Sequence, residues 1–347
     1  MAGFPLYLWG VGRFYRIRYP AARRLEVRCP DGGKLCIYHR PARYRRYLEP
    51  VVLCHGIATN HLNMDFEPPY SLAVALADAG FECFSVDWRG SGLSRPPPGK
   101  ARYDVQVDDL IRMDAPTLVD CALLHAQSPK AFWLGHSMGA LVGYAAAQEG
   151  LEVKLKGLLA MGAPVFFEFK PWLQSSVRLG TWLSFPWAFR QRLFARALAP
   201  FLGYVTLPLS DTIVNPKAIL PAVQRKVYAN IIESVGRRLL RQFSDWISHD
   251  AFVSADGKTD YRKGLSRLTL PALVMGGSAD RLATARSVRA QFDLLASTDK
   301  TLMLFGVENG DGLDYGHGDL IFGALAPKEI HPRIIHWLTA RATPLPP

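Results

Sequence analysis

The sequence contains no run of about 20 apolar residues, so it offers no membrane-spanning helix. It carries only five cysteines in 347 residues: Cys29, Cys36, Cys54, Cys83 and Cys121. They are odd in number, confined to the first half and never spaced C-x-x-C, which points to reduced thiols in a cytoplasmic protein rather than a disulfide framework. No pair of His, Asp or Glu has metal-ligand spacing and no G-x-G-x-x-G follows a strand, so neither a metal nor a cofactor is expected. Internal repeats, low-complexity tracts and linkers are missing as well. The start, Met1 to Arg13, holds a short apolar run but no basic residue ahead of it and no small-residue cleavage site, and it is not read as a signal peptide.

Acidic residues are scarce at one end. Among the first fifty residues, eleven Lys and Arg from Arg13 to Arg46 face only Glu26, Asp31 and Glu49, within a net charge of +11. Phe14, Tyr15, Tyr19, Tyr44 and Tyr47 lie between them. The expectation is a solvated basic face that makes at most weak peripheral contact with an anionic membrane. No nucleic-acid motif accompanies the charge, so no nucleic acid is expected as a partner.

What is present is a globular composition, 49% hydrophobic with 20% charged, and one stretch that organises the chain. Ala131 to Leu134 is a short bulky apolar run that reads as a buried strand, and Met138 to Gln148, rich in Ala and Leu, reads as a helix. Between them stands Gly135-His136-Ser137-Met138-Gly139, a G-x-S-x-G box. A serine on so tight a strand-to-helix turn is strained, and glycines two residues to either side let the flanking chain pass closely. The turn lifts the hydroxyl clear of the sheet and sets a helix N-terminus beneath a developing negative charge. Ser137 is therefore the candidate nucleophile.

Strands and helices alternate around this turn. Leu25 to Cys29 and Lys34 to His39 read as a hairpin through Asp31-Gly32-Gly33. Val51 to Cys54, Phe81 to Val86, Leu155 to Met161, Pro271 to Met275 and Lys300 to Phe305 read as strands. Ser71 to Ala79, Val107 to Gln127 and Leu320 to Ala340 read as helices. The alternation requires a mostly parallel sheet covered on both faces. It breaks from Phe166 to His249, a helical region studded with Trp and Phe.

His55-Gly56-Ile57, Ser71 to Gly80, the Asp109 to Pro116 helix and Tyr315-Gly-His317-Gly-Asp319 together resemble the α/β-hydrolase superfamily over nearly the whole chain. The nearest likenesses are to its acid-lipase branch and to polyhydroxyalkanoate synthase-like and depolymerase-like hydrolases. The resemblance implies an α/β-hydrolase fold, a mostly parallel eight-stranded sheet flanked by helices. Residues 1–164 and 266–347 would form its core and 165–265 an inserted helical cap. The family order of nucleophile, acid and histidine is met by Ser137, Asp280 in Gly276-Gly-Ser-Ala-Asp280, and His317.

A serine hydroxyl needs a base, and the base needs a carboxylate to hold one tautomer and stabilise its cation. Of nine histidines, His317 alone follows the last strand on a Gly-flanked loop. Asp280 is the preferred acid, with Asp311, Asp314, Asp319 and Glu168 as rivals. The oxyanion of a tetrahedral intermediate would be held by the N–H groups of Ile57, through the H-G-x match, and Met138. His55 and His136 are expected to brace loops, and Asp87 and Arg89 to support the turn they occupy. Phe166, Phe167 and Trp172, leaving the sheet beside Ser137, are expected to receive an apolar acyl group. The function expected is a serine hydrolase of carboxylic esters acting on a small-molecule or lipid-like substrate. An acyltransferase on the same triad is the first alternative and a binding protein on a degenerate hydrolase fold the second. The polymer synthases carry cysteine in the box, and the serine here counts against that variant.

Overall fold

A computed structural model describes residues 3–19, 22–168, 174–175, 179, 188–189, 191–204 and 210–346. Six strands precede the excursion from the sheet: β1 (Arg23–Arg28), β2 (Lys34–Arg40), β3 (Val51–Cys54), β4 (Cys83–Asp87), β5 (Ala131–His136) and β6 (Leu155–Met161). A two-residue pair follows, β7 (Ala188–Phe189) and β8 (Val235–Gly236), and then β9 (Ala272–Gly277) and β10 (Lys300–Phe305). The main sheet has eight strands in the order β1-β2-β4-β3-β5-β6-β9-β10. The β1–β2 and β2–β4 pairs are antiparallel and the rest parallel. An antiparallel hairpin thus opens a parallel sheet, as the alternation of elements demanded.

Both faces of the sheet are covered, and the period of two sorts the strand residues between them. Val52, Cys54, Trp133, Leu158 and Ala160 belong to one core. Val51, Leu53, Phe132, Leu134, Leu159 and Met161 belong to the other. The helices are bounded by familiar chemistry: Ser71 caps Leu72–Ala79, its hydroxyl accepting from the Val74 N–H, and Gly80 ends it in the left-handed region at φ 109°.

Two expected helices are broken. The run from Val107 to Ala126 contains a π-helical turn at Leu110–Asp114. Pro116 lacks the N–H that an α-helix would use there, which accounts for the irregular turn. The closing helix is three pieces, Asp319–Phe322, Ala326–Glu329 and His331–Thr339. Pro327 and Pro332 each sit in the first turn of a piece, the position that tolerates proline.

The π turn aims Asp114 at the β4 loop. Arg89 Nε donates to Asp114 Oδ1 at 2.7 Å, its backbone N–H to Asp114 Oδ2 at 3.0 Å, and its Nη1 to Asp31 of the hairpin at 2.6 Å. Burial pushes the Asp114 carboxyl up to about 6 against the opposing pull of Arg89. Asp87 is tied more tightly, by Tyr38 Oη at 2.9 Å, by both the backbone and ring N–H of His61 at 2.9 Å, and by the Leu93 N–H at 3.0 Å. Burial alone would raise Asp87, but the hydrogen bonds and charge of His61 hold it well below the ordinary carboxylate range. Both residues of the β4 turn are supports, as expected from the sequence.

Between β6 and β9 the chain leaves the sheet and builds helices at Gln191–Leu198, Ser210–Ile213, Pro221–Asn230 and Arg237–His249. Among the described residues no helix is long and apolar enough to cross a membrane.

Arg89→Ala strands the buried Asp114 carboxylate without its cation. Such a change costs about 3–5 kcal/mol, and urea unfolding should show a loss of that order. Asp114→Leu added to it should recover much of the loss, and a single-variant loss within about 0.5 kcal/mol, as at ordinary surface sites, would contradict the account.

Candidate active site

The Ala131-to-Gln148 stretch folds as a strand, one residue of turn and a helix. Ser137 is that residue, at φ 54° and ψ −120°. A non-glycine side chain in this region is strained and persists only where its surroundings over-determine it. Here they do: the Ser137 N–H donates to Met161 O at 2.8 Å, and its carbonyl accepts from Ala140 and Leu141. The two glycines are required sterically. A Cβ on Gly135 would lie 2.4 Å from the Ala140 nitrogen, and one on Gly139 would lie 2.2 Å from Cys54 O.

The Gly139 approach brings the β3 loop against the turn. A Cβ on Gly56 would stand 3.1 Å from Ser137 Cβ, so His55-Gly56-Ile57 passes directly beside the serine. His55 braces that loop. Its Nδ1–H donates to Gly56 O at 2.8 Å, and Nε2 accepts from the Trp88 N–H at 3.3 Å. Burial lowers its pKa to about 4, so it stays neutral. Met138 opens the helix, where the first N–H groups have no acceptor within the helix.

His317 lies on the loop after β10. Its Nδ1 is 2.8 Å from Asp280 Oδ2, and both side chains are buried. Asp280 Oδ1 accepts from the Leu282 and Ala283 N–H groups at 2.8 and 2.9 Å. Both oxygens of the carboxylate are thus engaged, and the imidazole proton sits on Nδ1, leaving Nε2 as an acceptor. His136 Nε2–H donates to His317 O at 3.1 Å, with the two rings 4.7 Å apart. Burial and the neighbouring His317 keep His136 well below the ordinary histidine range, so it braces the loop as a neutral ring.

The rival carboxylates are occupied elsewhere. Asp311 pairs with Arg333 at 2.6 Å, and Asp314 accepts from Ser278 Oγ at 2.7 Å. Glu168 pairs with Arg286 at 3.4 Å. Asp319 Oδ2 accepts from Gly316 at 2.8 Å and from Asn215 at 2.6 Å, tying the histidine loop to the excursion above it. Its burial, with Asp280 nearby, pushes its pKa up to about 7. Among the described residues no group of three or more His, Cys, Asp or Glu side chains is placed to hold a metal ion.

Ser137 and His317 open on one cavity of about 360 Å³. Its wall includes Ile57 and Leu282 from the sheet loops and Phe322 from the Asp319–Phe322 helix. Phe194, Ala195 and Leu198 come from the Gln191–Leu198 helix, and Val227, Tyr228 and Ile231 from the Pro221–Asn230 region. Phe166 and Phe167 are not in that wall. Phe167 is buried with its ring 6.1 Å from Trp246, and Phe166 lies under the Arg262 guanidinium at 4.5 Å. Beyond Pro164 the chain sets Phe167 against the Arg237–His249 helix and Phe166 against Arg262, so neither ring lines the Ser137 cavity. Trp172 lies outside the described residues. The lining that sequence reading missed sits on two helices, and nothing local marks which face of each meets the sheet.

The geometry has counterparts. The model of the alpha/beta hydrolase fold family matches residues 49–305. Triacylglycerol lipase 2 of Arabidopsis thaliana is 23% identical over 85% of this chain and 77% of its own. Gastric triacylglycerol lipase of Rattus norvegicus is 24% identical over 91% of this chain and 88% of its own. Among solved structures, a soluble variant of monoglyceride lipase from Saccharomyces cerevisiae superposes with a TM-score of 0.64 at 18% identity, covering 95% of this chain and 98% of its own. A thermophilic esterase from Thermogutta terrifontis gives 0.60 at 19% identity, covering 93% of this chain and all of its own. With its sheet order, its serine turn and a family match across most of its length, the chain belongs to the α/β-hydrolase fold family, and within it is lipase- and esterase-like.

Proposed function

We propose that the protein is a serine hydrolase of carboxylic esters with apolar acyl groups, working through Ser137, His317 and Asp280. The observation that carries this is a strained serine and an Asp-oriented histidine opening on one apolar cavity. The lipase names of its relatives support the same reaction class. Residues 165–265 are assigned as the cap, with its Gln191–Leu198 and Pro221–Asn230 helices lining the cavity. The five buried free thiols fit a reducing, cytoplasmic setting.

In the reaction, Ser137 Oγ attacks the ester carbonyl carbon while His317 Nε2 takes its proton. Asp280 stabilises the imidazolium through Nδ1–H. The carbonyl oxygen becomes an oxyanion held by the Ile57 and Met138 N–H groups. Collapse breaks the ester C–O bond, and the imidazolium returns the proton to the departing alcohol. Water then attacks the acyl-serine with the same base, releasing the acid and restoring Ser137. An alcohol in place of that water would make the same groups an acyltransferase, which product analysis with an added alcohol separates.

Ser137→Ala should abolish ester cleavage with the urea midpoint unchanged, and an organophosphonate should label Ser137 alone. Asp280→Asn holds the histidine in the wrong tautomer and should cost about 10⁴ in kcat, the loss seen for this change in comparable triads. The same substitution at Asp311 or Asp314 should leave kcat within about tenfold. A larger loss at either would move the acid away from Asp280.

The cavity wall sets a second expectation, on p-nitrophenyl esters. Each buried methylene contributes roughly 0.8 kcal/mol, so kcat/KM should rise about fourfold per added carbon until the cavity fills. Ala195→Phe should shorten the preferred chain while acetate turnover persists. A flat profile in the unaltered enzyme would remove the acyl-pocket reading.

A further inference from the structure

Exposed large apolar side chains are unevenly spread. Of nineteen among the described residues, six lie between Phe4 and Tyr19 and seven between Leu193 and Leu220. These two segments pack together. The first helix, Gly3–Phe14, buries Val11 with Ala199 and Ala229. Tyr7 Oη donates to Ala197 O at 2.8 Å, and Asn230 Nδ2 donates to Tyr15 O at 2.8 Å. The helices it touches, Gln191–Leu198 and Pro221–Asn230, are those whose side chains line the Ser137 cavity.

Leu8, Val11, Gly12 and Tyr15 follow the i, i+3, i+4, i+7 spacing of a docking face. The opposite face of that helix is apolar too. Leu6 is 66%, Trp9 61% and Phe14 73% exposed, where a surface helix would normally carry polar residues. The helix carries one charge, Arg13, and Arg16 and Arg18 follow it in the chain with no acidic residue before Glu26. Arg13 lies 5.7 Å over the Trp9 ring, so cation and aromatic share one face. Phe194, 68% exposed and also part of the cavity wall, adds an exposed apolar side chain on the Gln191–Leu198 helix, which the first helix packs against.

We propose that the outward face of the Gly3–Phe14 helix, together with exposed side chains of the Gln191–Leu198 helix, seats the protein on an anionic phospholipid surface. Leu, Trp and Phe sink into the headgroup boundary while arginines meet lipid phosphates, the composition that interfacial helices use. A second copy of the chain is the poorer occupant, since it would bring the exposed Arg13 and Arg16 of two chains together. The lipid surface then lies beside the cavity that would take an acyl chain, and only this last link rests on the ester-hydrolase reading.

Co-sedimentation with sucrose-loaded vesicles tests the proposal. The protein should pellet with equimolar phosphatidylcholine–phosphatidylglycerol vesicles at least tenfold more strongly than with phosphatidylcholine alone. Raised salt should weaken the binding. Leu6→Ser/Trp9→Ser/Phe14→Ser should lose at least tenfold in partitioning, and Arg13→Glu/Arg16→Glu about fivefold per arginine or more. Turnover of p-nitrophenyl acetate should be unchanged in both variants, which also reports that they fold. Equal pelleting of the serine variant and the unaltered protein, or no pelleting at all, would overturn the proposal. So would an unaltered protein that is dimeric in sedimentation equilibrium while the serine variant is monomeric. Ser137→Ala should bind vesicles like the unaltered protein, so loss of the hydrolase reading would leave the docking result standing.

Discussion

The serine turn depends on one close backbone approach, the passage of Gly139 against the carbonyl of Cys54. It locks the helix after β5 against the loop after β3, and so forces Ser137 into the strained conformation at the turn. Strain of this kind costs of order 1–3 kcal/mol and survives only when neighbouring packing leaves no alternative. Parallel pairing of β3 with β5 and of β5 with β6 provides that packing, with the Ser137 N–H bonded across to β6. The serine is therefore presented by the sheet itself and not by a flexible loop.

The histidine is placed by a different means. Its loop follows the last strand and is held by side chains from three directions: Asp280 on Nδ1, His136 on its carbonyl, and Asp319 on the preceding Gly316 N–H. Two of these partners are ionisable groups kept out of water, and a third is a neutral imidazole. Each of these groups is held by at least one hydrogen bond, although His136 Nδ1 and Asp319 Oδ1 are buried without a partner, and such atoms carry a desolvation cost. The Asp319 bond to Asn215 extends the network into the helices above the cavity. Position of the histidine and position of the cavity roof are thus mechanically linked.

Those helices explain why an apolar cavity forms where Ser137 and His317 would otherwise meet water. The Gln191–Leu198 and Pro221–Asn230 helices turn side chains toward the sheet loops and leave others outward, where the Gly3–Phe14 helix covers part of them. Enclosure strengthens every electrostatic interaction inside, since the local dielectric falls.

Local chemistry made much of this legible in the sequence. The serine turn, the hairpin at Asp31-Gly32-Gly33, the helix from Ser71 to Gly80 and all eight strands of the sheet follow from glycine placement, capping and hydrophobic period, which act over a few neighbouring residues. The preference for Asp280 came from chain order, and its hydrogen bond to His317 spans 37 residues. What the sequence did not yield is whatever depends on which faces meet. Phe167 is apolar enough for a substrate pocket, yet it packs on Trp246, because the direction of the chain after Pro164 is set by the helix it docks against. The wall of the cavity and the seat of the first helix belong to the same class, whereas the break of the last helix is marked locally by Pro327 and Pro332. Side-chain period tells that a face is apolar; only the assembled chain decides what that face touches, because burial is non-directional and any apolar neighbour satisfies it.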